Sequence, residues 1–189
     1  MSRIVGVAPK KAGIFGRLIY RMAAKRYGVL MEPLAVTRRH GGLFYTYAMH
    51  ELLAERVSKA VPKAVRELAV YRAAVRLGCE WCIDFGTMLQ RLDGLDIDRL
   101  KEIDNYATSP KFTHEERLAI AYADALTATP VQVTDEQVAE LVTAFGEKGV
   151  IELTYQITLE NMRARFNSGL GITEQGFSSG DACRVPLTQ

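Results

Sequence analysis

The stretch KAVRELAVYRAAVRLGCEWCIDFG, Lys63 to Gly86, decides the fold. Pro62 stands just before it, and its first fifteen residues are rich in Ala, Arg, Leu and Glu, which favour a helix. Gly78 closes that helix. A second helix is expected from about Glu80 to Leu92, where Asp93-Gly94 breaks it. The order is therefore helix, glycine break, Cys-x-x-Cys, helix. A thioredoxin-like fold would place the motif after a strand in a βαβ unit, and this context excludes it.

Three readings of Cys79 and Cys82 are open on spacing alone. Structural zinc needs four ligands. The third cysteine, Cys183, lies about a hundred residues on, and His40, His50 and His114 are scattered without ligand spacing. Free cysteines also pack as small hydrophobes. The favoured reading is a dithiol redox pair. A glycine break followed by a helix offers unsatisfied N–H groups and the positive end of the helix dipole, which favour a thiolate. One helical turn also brings two sulfurs within disulfide reach.

Outward from this stretch, the chain reads as almost entirely helical. Helices are expected at Ile14 to Tyr27 with Gly28 as its stop, about Gly42 to Val57, a short one after Asp96 through Tyr106, Glu115 to Leu126, Glu136 to Phe145, and Lys148 to Asn167. Thr113 with Glu116, and Thr134 with Gln137, have capping-box spacing. Alternating β-branched runs are lacking apart from short ones near Val131. The tail after Gly169 is expected to wrap the surface. The organisation is a basic helical extension over residues 1–39, an all-α domain over 40–171 and a tail over 172–189.

The 189 residues fit one domain with a real core, and 48% apolar with 24% charged residues is ordinary for a soluble chain. No apolar run approaches the roughly 20 residues that span a bilayer. The start MSRIVGVAPKKAG is not a secretory signal, and three cysteines do not make a disulfide framework. The expected location is cytoplasmic. The net charge of +2 hides an asymmetry: residues 1–40 hold nine basic side chains and one acidic, +8, and the remainder 15 and 21, −6. The basic arm is expected to lie on the acidic body of its own domain or of a neighbouring subunit rather than on nucleic acid or lipid. Its apolar Ile14, Phe15, Leu18 and Ile19 are expected to be buried there, with Arg17, Arg21 and Lys25 outside.

The stretch RELAVYRAAVRLGCEWCIDFG, with ERLAIAYADALTATPVQVTDEQVAEL and LTYQITLENMRARFN further on, resembles the carboxymuconolactone decarboxylase family, and within it the AhpD-like alkylhydroperoxidases. The resemblance covers roughly residues 40–171. It implies an AhpD-like helical fold and thiol-dependent peroxide reduction, with Cys82 attacking the peroxide, Cys79 resolving the sulfenic acid and Glu67, twelve residues before Cys79, as the base. A small-molecule peroxide and a dithiol reductant would be its partners, a homo-oligomer its assembly, and no cofactor or metal its requirement. The relay histidine of the peroxidases would fall at Gly86, so Asp84, His40 or His50 are the substitutes to look for. The true decarboxylases lack the Cys-x-x-Cys, so their reaction does not transfer. A redox-sensing or non-catalytic role, and an enzyme acting on a small organic acid or lactone, are the alternative functions.

Six positions call for a closer reading. Glu67 is a solvated or Arg66- or Arg72-paired carboxylate, or the base. Trp81 packs, or walls a small apolar substrate pocket. Asn161, Arg165 and Asn167 are expected to tie the last helix to a neighbour. Cys183 is a tail thiol able to pair with another cysteine.

Overall fold

The computed structural model describes residues 2–178, so Cys183 lies outside the described residues. Seven α-helices run in order: α1 Gly13–Tyr27, α2 Glu32–Thr37, α3 Gly41–Val57, α4 Lys63–Arg76, α5 Glu80–Leu92, α6 His114–Thr127 and α7 Asp135–Leu170. A 3-10 helix, Asp98–Asn105, links α5 to α6, and no strand occurs among the described residues. The fold is all-α, as the sequence predicts.

The core is α4 laid against α6 and α7. Val65, Ala69 and Ala73 of α4 meet Ala119, Tyr122 and Ala123 of α6 and Leu141, Leu153 and Ile157 of α7. The alanines let the backbones approach closely, while each large side chain fully buried contributes about 1.5–3 kcal/mol. Helix α6 starts at a capping box: Thr113 accepts from the Glu116 N–H, and the Glu116 carboxylate accepts from the Thr113 N–H. The two expected last helices join into α7, kinked at Gly146, whose φ of 67° is left-handed and suits glycine.

The basic arm lies on this body. The Arg3 guanidinium donates to the carbonyls of Ser168 and Gly169, where the negative end of α7 favours a cation. Arg26 pairs with Glu55 on α3. Two details differ from expectation. Helix α2, only six residues long, has no periodic apolar face to announce it. Helix α1 turns Gly16 and Tyr20 inward, while Ile14 and Phe15 are 76% and 71% exposed and Leu18 and Met22 are also outside. The side turned inward meets the Arg38 side chain: a Cβ at Gly16 would stand 2.9 Å from Arg38 Nε, so a larger residue there requires the guanidinium to move.

Candidate functional site

The site is built by one turn. Gly78, with φ 61°, closes α4: its N–H donates to Val75 O at 3.0 Å, and the Cys79 N–H donates to Ala74 O at 3.1 Å. This is a Schellman closure, and its last residue is the N-cap of α5. The Cys79 sulfur accepts the N–H of Cys82 at 3.3 Å, so the first cysteine caps the helix that carries the second. The sequence places both at the positive end of α5, and the structure joins them in a disulfide with Cα atoms 5.2 Å apart. Both are buried, Cys79 2% and Cys82 7% exposed.

A second Schellman turn faces the first. Gly171, φ 63°, ends α7; its N–H donates to Ser168 O, and the Ile172 N–H donates to Asn167 O at 2.9 Å. The turn fixes Asn167 over the sulfurs. Its Nδ2 lies 3.5 Å from Cys82 Sγ and 3.8 Å from Cys79 Sγ, and the residue is 1% exposed. Its Oδ1 is buried with no hydrogen-bond partner among the described residues. Leaving such a group unpartnered costs about 1–3 kcal/mol. Asn161, by contrast, ties α7 to α6 through Thr127 Oγ1 at 3.0 Å and receives Arg165 on its Oδ1 at 2.7 Å. The expected tie to a neighbouring helix is made by Asn161, while among the described residues Arg165 bonds only to Asn161 on the same helix. Asn167 is instead a residue of the site; an asparagine inside a helix gave no sign of it.

The chain after α7 forms a strap over the pair. The buried Asp84 carboxylate accepts the N–H groups of Gln175, Phe177 and Ser178 at 3.0, 3.0 and 2.7 Å. Burial works to raise its pKa, but the hydrogen bonds from Ser178, Phe177 and Gln175 outweigh burial and hold it below the ordinary aspartate range. Trp81 donates from Nε1 to Gln175 Oε1 at 2.7 Å, stacks on Phe85 at 4.7 Å and meets Phe177 edge-on at 5.9 Å. Ile172, Trp81 and both cysteines share one apolar cluster. The space that Trp81 walls is thus taken by the protein's own strap.

Glu67 stands apart from this cluster. It is a mostly buried carboxylate on α4, 3.4 Å from Arg66, which also reaches Glu152 at 3.4 Å and donates to Ser58 O at 2.7 Å. Arg72 turns instead to Asp104 and Asp124. Burial raises the Glu67 pKa, against the pull of Arg66 and Lys63. Glu67 also acts electrostatically on Glu160 of α7, a residue the sequence reading passed over. Burial pushes Glu160 up to about 7, although Arg163 pairs with it at 3.2 Å. Its Oε1 has no hydrogen-bond partner among the described residues. Arg163 is shared with Glu51 of α3 at 2.5 Å. Glu160 and Asn167, seven residues apart, lie on the same face of α7.

The space at Gly86 is filled from α4. A Cβ there would lie 3.2 Å from Tyr71 Cδ2. The three substitutes named for a histidine are engaged elsewhere: Asp84 by the strap, His40 capping α3 through the Leu43 N–H, and His50 with the Tyr155 hydroxyl. Among the described residues, no group of three or more His, Cys, Asp and Glu side chains is arranged to hold a metal ion, and no helix is long and apolar enough to cross a membrane.

Comparison with known proteins agrees with this fold. The pattern of the carboxymuconolactone decarboxylase family matches residues 43–125. The chain is 34% identical over 162 residues to the uncharacterized protein YnjA of Escherichia coli (strain K12), covering 86% of each. It is 32% identical over 89 residues to the alkyl hydroperoxide reductase Rv2159c of Mycobacterium tuberculosis (strain ATCC 25618 / H37Rv), covering 47% of this chain and 26% of that protein. Among solved structures, the AhpD core of an uncharacterized peroxidase-related protein from Ralstonia eutropha JMP134 superposes with a TM-score of 0.82 at 13% identity, covering 93% of this chain and 94% of that one. The debrominase Bmp8 superposes at 0.81 with 16% identity, covering 92% of each. With an all-α fold of the AhpD-like type, a Cys-x-x-Cys at a helix N-terminus and these relatives, the chain belongs to the carboxymuconolactone decarboxylase family.

Proposed function

We propose that the protein is a thiol-dependent peroxidase, or a closely related dithiol oxidoreductase, acting on organic hydroperoxides through Cys82 and Cys79. The observation that carries this reading is the bonded pair at the N-terminus of α5, where the N-cap sulfur accepts the Cys82 N–H. An N-terminal helix position stabilises a thiolate, and a neighbouring thiol rescues a sulfenic acid before overoxidation. The named activity of the mycobacterial relative supports the same class.

In the reduced protein, the Cys82 proton is carried by water to Glu67, which stands apart from the pair, and the Cys82 thiolate attacks the terminal oxygen of R–O–OH. The S–O bond forms and the O–O bond breaks, leaving Cys82–SOH and an alkoxide that recovers the proton from Glu67 as an alcohol. The Cys79 thiol then attacks Cys82 Sγ. The S–S bond forms, and hydroxide leaves with the Cys79 proton as water. Two electrons pass from the cysteines to the peroxide, and a small dithiol restores them by exchange. Glu67 suits its role because burial raises its pKa toward that of a thiol, which narrows the proton-transfer gap.

The reaction belongs in the reducing cytoplasm, and the assembly is a homo-oligomer whose contacts use the exposed Ile14, Phe15 and Leu18 of α1 and Met49, Leu52 and Leu53 of α3. The test is turnover of cumene hydroperoxide with a dithiol reductant. Turnover is expected in the wild type, none in Cys82→Ser, and a reduced rate in Glu67→Gln. A wild type that consumes no hydroperoxide while its pair still cycles with dithiols would move the protein to the redox-sensing class.

A further inference from the structure

We propose that Asn167 is a further catalytic residue. Its Nδ2–H group donates to the Cys82 thiolate once the disulfide is open, and its Oδ1 accepts the O–H of the hydroperoxide that Cys82 attacks. The proposal rests on the peroxidase reading above and adds a residue in contact with the reacting atoms.

The geometry is specific to this side chain. A sulfur in a disulfide or thiolate only accepts, so the amide presents Nδ2 to it, at 3.5 Å from Cys82 and 3.8 Å from Cys79. The shorter approach is to the cysteine at the third position of the α5 helix. The Asn167 main chain is pinned by the Ile172 N–H on its carbonyl, and Ile172 lies in the same apolar cluster as the sulfurs. The amide is therefore held in place from the strap side. Its Oδ1 is buried and without a partner beside the pair. An acceptor left empty next to a nucleophile fits a donor that arrives with the substrate. The attacked oxygen keeps its hydrogen as R–O–OH becomes Cys82–S–OH, so one acceptor serves both states.

Apart from Glu67, the proposed base, the charged groups on the elements around Cys82 are bonded to other groups or at least partly exposed. On α5, Asp84 holds the strap amides, Arg91 donates to Ser178 O, and Glu80 is exposed. On α4, Glu67 is paired with Arg66, and Arg72 with Asp104 and Asp124. On α7, Arg163 joins Glu51 to Glu160. Arg3 caps α7, Arg38 after α2 donates to Ala12 O, Glu32 is half-buried at the start of α2, and Glu174 of the strap is exposed. Among the described residues, Asn167 is the polar side chain that touches both sulfurs.

The experiment uses the full-length chain with Cys183→Ser, so that only the pair reports. The reduced protein is alkylated with iodoacetamide from pH 5 to 9.5, and each site is followed by peptide mass spectrometry. Cys82 is expected to ionise at lower pH than Cys79. In Asn167→Leu the Cys82 midpoint should rise by about one pH unit, with alkylation at pH 7 slowed roughly tenfold, as loss of one hydrogen bond to a charged group implies. Asn167→Asp should raise it at least as far, by placing a carboxylate beside the thiolate, and Asn167→Ala serves if either variant fails to fold. After normalising to the thiolate fraction, kcat/KM for cumene hydroperoxide in Asn167→Leu should fall about a further tenfold from loss of the acceptor. An unchanged Cys82 midpoint in a folded variant overturns the donor role, and an unchanged normalised kcat/KM overturns the acceptor role. Because alkylation needs no peroxide, a wild type inactive toward hydroperoxide but with a shifted midpoint in the variants would count against the peroxidase reading and not against the amide–thiolate contact.

Discussion

Two polar clusters, one between α4 and α6 and one along α7, are built differently. On the α6 side, Arg72 donates through Nε to Asp124 Oδ1 at 2.6 Å, through its two terminal nitrogens to Asp124 Oδ2 at 3.2 Å and to Asp104, and Tyr106 adds its hydroxyl to Asp124 at 3.1 Å. The guanidinium is bonded through all three nitrogens, and the cluster holds three elements in one geometry. On the α7 side, Asn167 and Glu160 each keep one oxygen buried without a partner, and the sulfurs lie under a strap. A satisfied cluster fixes the fold. A half-satisfied one leaves room for a proton or a substrate group, and the fold supplies the stability that offsets it.

The largest expected effect tests the first half of that contrast. Arg72→Ala should destabilise the fold by about 2–4 kcal/mol, somewhat less than the roughly 3–5 kcal/mol for breaking a fully buried ion pair, because Asp104 and Asp124 are partly exposed. Denaturant unfolding checks it, and the alkylation profile of Cys82 should stay where it is. A shift in that profile would mean the two clusters are not separate.

Gly86→His comes next. The first Cβ already meets the Tyr71 ring at 3.2 Å, so the variant should lose about 1–3 kcal/mol by overpacking rather than gain activity near neutral pH. A faster peroxide reaction at unchanged melting temperature would show that the ring yields and that a histidine fits.

Asp84→Asn weakens three charge-assisted bonds to the strap at once. Reduction of the disulfide by dithiothreitol should accelerate several-fold, read by the appearance of free thiols. Since the folded Asp84 pKa is lowered, its stabilisation is present above the unfolded aspartate pKa and is lost as pH falls through the lower folded value. With a phosphine reductant, which unlike a thiol still reduces disulfides in acid, the wild type should therefore approach the variant's reduction rate as pH falls below the ordinary aspartate range.

Glu160→Gln is the smallest change. The folded pKa of Glu160, about 7, lies above the unfolded value near 4.5, so the folded state binds the extra proton between them. Wild-type stability from this group should decline as pH rises from about 4.5 to 7 and remain lower above that. The glutamine variant should be flatter over this window and about 1–3 kcal/mol more stable at pH 8. An identical slope in both proteins would show that the burial of Glu160 is not what the melting curve reads.

Much of the fold was legible because helix ends carry chemical marks. The Thr113 and Thr134 caps, Gly28 and Gly78 each stand where the chain turns in or out of a helix. The cysteine pair was equally plain, because two sulfurs one turn apart need no distant partner. What was hidden depends on contacts across the chain. The buried side of α1 sets Gly16 against Arg38, a close approach that apolar periodicity does not record. The strap has no period at all, and its hold on Asp84 is made by main-chain N–H groups that any residue carries. Asn161 and Asn167 are the same residue type on the same helix; one binds Thr127 of α6 and the other touches two sulfurs at the start of α5, a difference made by which helix each turn of α7 meets.

The most direct test of the redox assignment is a thiol count on the reduced full-length protein before and after one equivalent of organic hydroperoxide. Wild type should lose two thiols, show Cys79 bonded to Cys82 in peptide maps, and recover both with dithiothreitol, while Cys79→Ser should not show this two-thiol loss. No loss in the wild type, an unchanged loss in Cys79→Ser, or stoichiometric zinc that disappears with Cys79→Ser would contradict it.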